Sequence, residues 1–197
     1  MKKGVMVIGL FLAMAVGTIV YNLFQYSGTF TELIIRTCGL FSNLFIFMAI
    51  ISSEYMLQMR KTFGRSFINV HHQLSRIGIA LMLIHPLPFV IQKGVVALIP
   101  VFYPPVTFLE LAGRPALYIV LIAVLAAVYR KKIPRKWKNI HKLNYLAFLL
   151  IFFHAWLVGT DLQSLSMQLI WIVMLLIVAA VFIHKHIFGT RKSKQRK

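Results

Sequence analysis

Residues 69–91 decide the fold: Asn69-Val-His-His-Gln-Leu-Ser-Arg-Ile-Gly-Ile-Ala-Leu-Met-Leu-Ile-His-Pro-Leu-Pro-Phe-Val-Ile91. The run is apolar and matches the roughly 20 residues that a bilayer-spanning helix needs. It nevertheless carries His71 and His72 near one end and His85 near the other. Ionisable side chains inside a bilayer are costly and tend to mark function. A second stretch repeats the pattern: Ile140-His-Lys-Leu-Asn-Tyr-Leu-Ala-Phe-Leu-Leu-Ile-Phe-Phe-His-Ala-Trp-Leu-Val-Gly159, with His141 and His154 at its two ends.

Outward from these two stretches, the 197-residue chain is 59% hydrophobic, with a mean hydropathy of +0.80. The excess lies in blocks at 4–24, 31–57, 69–91, 115–130, 140–159 and 166–187. These blocks predict an all-α, multi-pass bundle of six transmembrane helices, the fourth short for a full span. The net charge of +18 invites a nucleic-acid reading until the charges are placed. Lys2 and Lys3, the group Arg60, Lys61 and Arg65, the run Arg130 to Lys142, and the tail from Lys185 to Lys197 all fall in alternate connections. The positive-inside rule puts those connections and both termini in the cytoplasm. The basic surplus is then a topology signal with anionic-lipid contact, and no nucleic-acid partner is expected. Integral placement in a bacterial cytoplasmic membrane is the expected location.

Cys38 is the sole cysteine, so it forms no intrachain disulfide, and a small buried residue is its plainest role. The opening residues imitate a signal peptide with Ala13-Met14-Ala15 as a cleavage site, yet the apolar run continues to Leu23 and favours an uncleaved helix. The connection 92–114 holds Pro100, Pro104 and Pro105, expected to break any helix. With Phe102, Tyr103 and Phe108 it is expected to fold back on the outer face, as a cap or as the lining of an acceptor site.

The histidine spacing carries the chemistry. His71 and His85 are fourteen residues apart, about 21 Å along a helix and close to four full turns, so both rings leave on nearly one face. His141 and His154 are thirteen apart, about 19.5 Å, with the second ring rotated by roughly 140°. Either that helix bends or His141 reaches in from a loosened first turn. Both helices start in the cytoplasm, so His71 or His72 is level with His141, and His85 with His154. Facing imidazoles at one depth can ligate a haem iron axially. The competing use of a single membrane histidine is an interhelical hydrogen bond. His184 and His186 flank Lys185 and read as solvated interface residues.

The segment from His72 to His85, the segment from Trp137 through His141 to Tyr145, and Phe153-His154-Ala155-Trp156 together resemble the third and fifth helices of the ferric reductase-like transmembrane domain family. That family includes membrane parts of ferric reductases and NADPH oxidases, and the haem subunit of the bacterial methionine sulfoxide reductase system. The last is the nearest in size and architecture. The resemblance implies a single such domain over 1–190, followed by a basic disordered tail at 191–197. It implies two b haems, with His85 and His154 holding the outer iron. His141 would hold the inner iron opposite His71 or His72; the family's common fourteen-residue spacing favours His71.

Arg76 is placed either to meet an inner haem propionate or to snorkel to the cytoplasmic surface. Arg36 is placed to hold an outer propionate, to attract an anionic acceptor, or to pair with Glu32 one turn away. Trp137 and Trp156 read as interface anchors, and Tyr145 as packing or a hydrogen-bond donor near the inner haem. The chain shows no glycine fingerprint for a dinucleotide. The expectation is therefore an oxidoreductase component without its own flavin or nicotinamide domain. A separate cytoplasmic flavin reductase (or a quinol) would feed it, and an extracytoplasmic acceptor, protein or small molecule, would drain it. The alternatives are a membrane partner without catalysis and a transporter with a histidine proton relay.

Overall fold

In the computed structural model, residues 2–55, 61, 64 and 67–184 are described, and everything below refers to them. They are helical and contain no strand. The helices are α1 (Lys2–Phe24), α2 (Phe30–Glu54), α3 (Phe67–Ile84), α4 (Leu87–Lys93), α5 (Pro105–Glu110), α6 (Gly113–Val128), α7 (Trp137–His141), α8 (Leu143–Val158) and α9 (Leu165–Ile183), with 3-10 turns at Val95–Leu98 and Thr160–Gln163. His186 and the tail at 191–197 lie outside the described residues.

Five stretches are long and apolar enough to cross a membrane: Met6–Phe24, Phe30–Ser53, Ile68–Lys93, Trp137–Val158 and Leu165–Ile183. The chain is accordingly an integral membrane protein. Of the six expected helices, five are long enough to span, and the fourth, expected to be short, is Gly113–Val128 with 16 residues. At 1.5 Å per residue that helix is about 24 Å long, against a hydrocarbon thickness of about 30 Å.

Helix ends follow local chemistry. Thr29 caps α2: its hydroxyl accepts from the Glu32 backbone N–H, and the Glu32 carboxylate accepts from the Thr29 N–H at 3.0 Å. Pro86 ends α3 directly after His85, because proline offers no N–H and disfavours helical geometry in the residue before it. In the 92–114 connection the prolines do not abolish helix as expected. Pro105 starts α5 instead, at the first position, where a missing N–H costs nothing. Phe102 stacks on Phe108 at 6.0 Å, Leu98 and Phe108 pack against the core, and Arg114 donates to the Ile99 carbonyl at 2.9 Å. The connection thus folds back over the end of the bundle that carries His85 and His154.

The core is apolar. Ile19 of α1, Leu44 of α2, Phe148 of α8, and Met167, Trp171 and Met174 of α9 are fully buried. Phe47 bridges Phe11 and Phe148, at ring separations of 6.1 and 6.3 Å. Cys38 is buried, as its small size allows. Much of the outer surface is also apolar, including Leu10, Met14, Ile122, Leu125, Leu169 and Leu176. That is the surface a lipid-facing bundle presents, since helices with internally satisfied backbones can sit in hydrocarbon.

The most extensive helix pairing is α2 against α3. Gly78 permits it: a Cβ there would meet Phe45 Cβ at 3.1 Å and the Ile46 backbone nitrogen at 3.3 Å. Gly78→Leu should therefore lower stability by about 1–3 kcal/mol through overpacking. A thermal unfolding midpoint in detergent unchanged from wild type would contradict this packing.

Candidate functional site

Four of the predicted histidines share one construction, each ring anchored through Nδ1 to a backbone carbonyl of a neighbouring helix. His71 reaches the Ala49 carbonyl at 3.0 Å and His85 the Ile35 carbonyl at 2.9 Å. His141 reaches the Ala123 carbonyl at 3.0 Å and His154 the Glu110 carbonyl at 2.6 Å. A carbonyl oxygen only accepts, so Nδ1 must carry the proton in all four. In the neutral ring that leaves the Nε2 lone pair for a metal, and the hydrogen bond fixes the ring's orientation.

The anchors repeat the histidine spacing. Ala49 and Ile35 are fourteen residues apart, as are His71 and His85; Ala123 and Glu110 are thirteen apart, as are His141 and His154. In each half a first segment runs from an outer carbonyl to an inner alanine carbonyl. The next helix returns antiparallel, from the inner histidine to the outer one. Each half also places a glycine against its outer ring. A Cβ on Gly39 would sit 3.0 Å from His85 Nδ1, and one on Gly113 would sit 2.9 Å from His154 Cδ2 and 3.0 Å from its Nε2.

The thirteen-residue mismatch is absorbed at Lys142, where α7 ends on His141 and α8 begins at Leu143. The loosened first turn expected from sequence is present. On the outer side, Glu110 is the last residue of α5, so its carbonyl has no further turn of its own helix to bond into. That orphan carbonyl is the one His154 uses.

The two halves meet at the outer level. The His85 and His154 rings stand 6.3 Å apart, centre to centre, with planes at 79°. Two imidazoles sharing one metal ion, with bonds of about 2.0–2.1 Å and about 1.2 Å from nitrogen to ring centre, come to roughly 6.4 Å. The observed separation fits that donor arrangement. At the inner level His71 is anchored on α2 and His141 on α6. Secondary groups attend both: the Ser52 hydroxyl lies 3.1 Å from His71 Nδ1, and the Asn144 amide 3.5 Å from His141 Nδ1. Among the described residues, no group of three or more His, Cys, Asp or Glu gathers around a bare-ion site.

The remaining candidates divide. His72 is exposed, its ring 5.8 Å from His71. Arg76, one turn further on, is also exposed and shares the face of His72 rather than that of His71. His184 is exposed, as a solvated residue should be. Trp137 lies 6.3 Å from the His141 ring, Trp156 stacks on Phe152 at 5.5 Å, and Tyr145 packs edge-on against Phe182 at 5.0 Å.

Arg36 does not take Glu32 as its partner. It forks onto Asp161, with Nε 3.1 and 3.2 Å from the two carboxylate oxygens and Nη2 2.5 Å from Oδ1. Glu32 is occupied by the Tyr26 hydroxyl and by Thr29. Sequence reading missed Asp161; its lone acidic charge beside apolar helices was the available signal. A cavity of about 260 Å³, lined by residues that include Trp156, Gly159, Gln163 and Gln168, opens at the same outer end.

Comparison with models of protein families, with curated proteins and with solved structures yields no match to this chain. The reading of the site rests on its own geometry. If the carbonyl anchors hold, ¹⁵N spectra of histidine-labelled protein should show four imidazoles protonated at Nδ1, assigned by single replacement of His71, His85, His141 and His154. Protonation at Nε2 in these four would contradict the anchoring.

Proposed function

We propose that this chain is a haem b-containing membrane electron carrier, a ferric reductase-like oxidoreductase component. It would take electrons from a cytoplasmic flavin- or NAD(P)H-linked donor and pass them to an extracytoplasmic acceptor such as ferric iron, a partner reductase, dioxygen or quinone. The observation that carries this reading is the outer pair: two imidazoles 6.3 Å apart, each turned by a carbonyl so that Nε2 is the available donor. Two imidazole nitrogens with no further protein donor beside them would suit a haem iron rather than a bare ion, which gathers more ligands from the protein.

Haem bound there would supply the one-electron change of its iron. The chain's own residues do the rest. His85 and His154 would hold the outer group, and His71 and His141 the inner one. Exposure and the lack of a carbonyl anchor disfavour His72 as the inner ligand. The Ile35, Ala49, Glu110 and Ala123 carbonyls keep the four rings oriented before any ligand arrives, which lowers the ordering cost of binding. Arg76, on the other face of α3, has weaker support as a propionate partner than as a residue reaching the cytoplasmic surface.

The reading includes six crossings with both termini in a bacterial cytoplasm. It is supported by the reach of the segment from Glu110 to Ala123, which meets an outer histidine at one end and an inner histidine at the other. The basic run Arg130 to Lys138 beside His141 is suited to an acidic flavin reductase, through charge complementarity. The outer cavity offers room for a small acceptor.

Protein purified from haem-supplied cells should show a b-type spectrum that changes on dithionite reduction, and His85→Ala or His154→Ala should each remove the outer signal. A colourless preparation, or unchanged haem content in both variants, would sink the proposal. A reporter fused after Lys197 should be active on the cytoplasmic side alone; activity outside would reverse the assigned direction.

A further inference from the structure

Arg36 and Asp161 form the one ion pair found among the described residues, and it is buried: the side chains keep 16% and 5% of their exposure. Burying two charges carries a desolvation cost that a well-formed fork offsets only in part, so such pairs are weak arguments for stability alone. Their location is more informative. Arg36 follows Ile35, whose carbonyl orients His85. Asp161 sits in the 3-10 turn Thr160–Gln163 directly after α8, seven residues past His154. The pair therefore bolts the half that carries His85 to the segment that carries His154. The Arg36 guanidinium is also seated 3.9 Å over the Tyr26 ring, and the Tyr26 hydroxyl donates to Glu32. This fixes the cation from a third direction.

We propose that Arg36 and Asp161 are positioning residues of the outer histidine pair, holding its two rings at their working separation and keeping the charge beside them neutral. The inference rests on the haem reading above. While the pair is intact its net charge is zero. Removing either partner leaves a full, poorly solvated charge at the same end of the bundle as the outer pair, where low dielectric extends its reach. A residual cation favours the reduced, less positive state of a neighbouring redox group, and a residual anion favours the oxidised state.

The test uses the full-length chain in nanodiscs, with Asp161→Asn, Arg36→Gln and the charge-swapped double variant Arg36→Asp/Asp161→Arg. Redox titration should move the outer midpoint potential upward in Asp161→Asn and downward in Arg36→Gln, with the double variant returning toward wild type. Shifts in the same direction, or none, would overturn the electrostatic role, since simple loosening of the fold gives no reason for opposite signs. Thermal unfolding provides a readout that needs no haem: both single variants should melt lower, and the swapped pair should recover part of the loss. A double variant no more stable than either single would overturn the clamp. A haem-free wild type would instead overturn the haem reading, leaving the clamp to be judged by the thermal coupling.

Discussion

A histidine buried among apolar helices must satisfy its N–H, because an unpaired donor there carries the full cost of desolvation. Helical carbonyls are normally committed to their own helix, so a neighbouring ring has to approach one that can accept a second bond or one that lies at a helix end. Ile35, Ala49 and Ala123 accept from within helices, while Glu110 accepts from a helix terminus. Once those four bonds form, ring orientation, proton position and helix register are fixed together. Rotating α3 against α2, or sliding α7 and α8 together along α5 and α6, would break two anchors at once. The same bonds that satisfy the donors therefore leave the opposite nitrogens unprotonated in the neutral rings.

This constraint explains why small residues appear where they do. An imidazole reaches a backbone carbonyl only if the intervening side chains are slight. Gly39 and Gly113 clear the outer rings, and alanines supply the inner carbonyls. The break at Lys142 has the same origin. A straight helix would turn His141 away from the level set by His154, and α7 is separated from α8 at the residue where the correction is needed. Helix packing in lipid lacks a hydrophobic drive between helices, so close approach and polar contacts of this sort carry much of the specificity.

The apolar blocks and the paired histidines were legible because both are side-chain patterns: spans follow from length and hydropathy, and tiers from a rise of 1.5 Å per residue. The anchors were not legible, because a carbonyl belongs to every residue and Ile35, Ala49, Glu110 and Ala123 share no side-chain property. The repetition of the two halves was hidden for the same reason. Arg36 was read against Glu32 because helix periodicity offers only near neighbours, whereas its partner lies 125 residues away across the bundle. The prolines of 92–114 were read as breakers, although Pro105 occupies the one helical position that tolerates it. Gly113–Val128 was recognised as short, and the structure leaves it so.

The two histidine levels differ in kind, and the difference has a direction. At the outer level each ring has a glycine against it, and an internally neutralised ion pair joins the residue after Ile35 to the turn after α8. Three of the four acidic residues, Glu32, Glu110 and Asp161, belong to that end. The inner level instead has hydroxyl and amide neighbours, an exposed histidine and arginine on the adjoining face of α3, and the basic run that follows α6. A field positive at one end and compensated at the other favours anionic groups near the His71 and His141 level and leaves the His85 and His154 level close to neutral. Under the proposed haem reading that polarity is useful, because docking of a charged donor would be long-range and tolerant, whereas holding two rings at a fixed separation is short-range and is not. The loose, basic end and the tight, neutral end are thus two answers to different demands on one bundle.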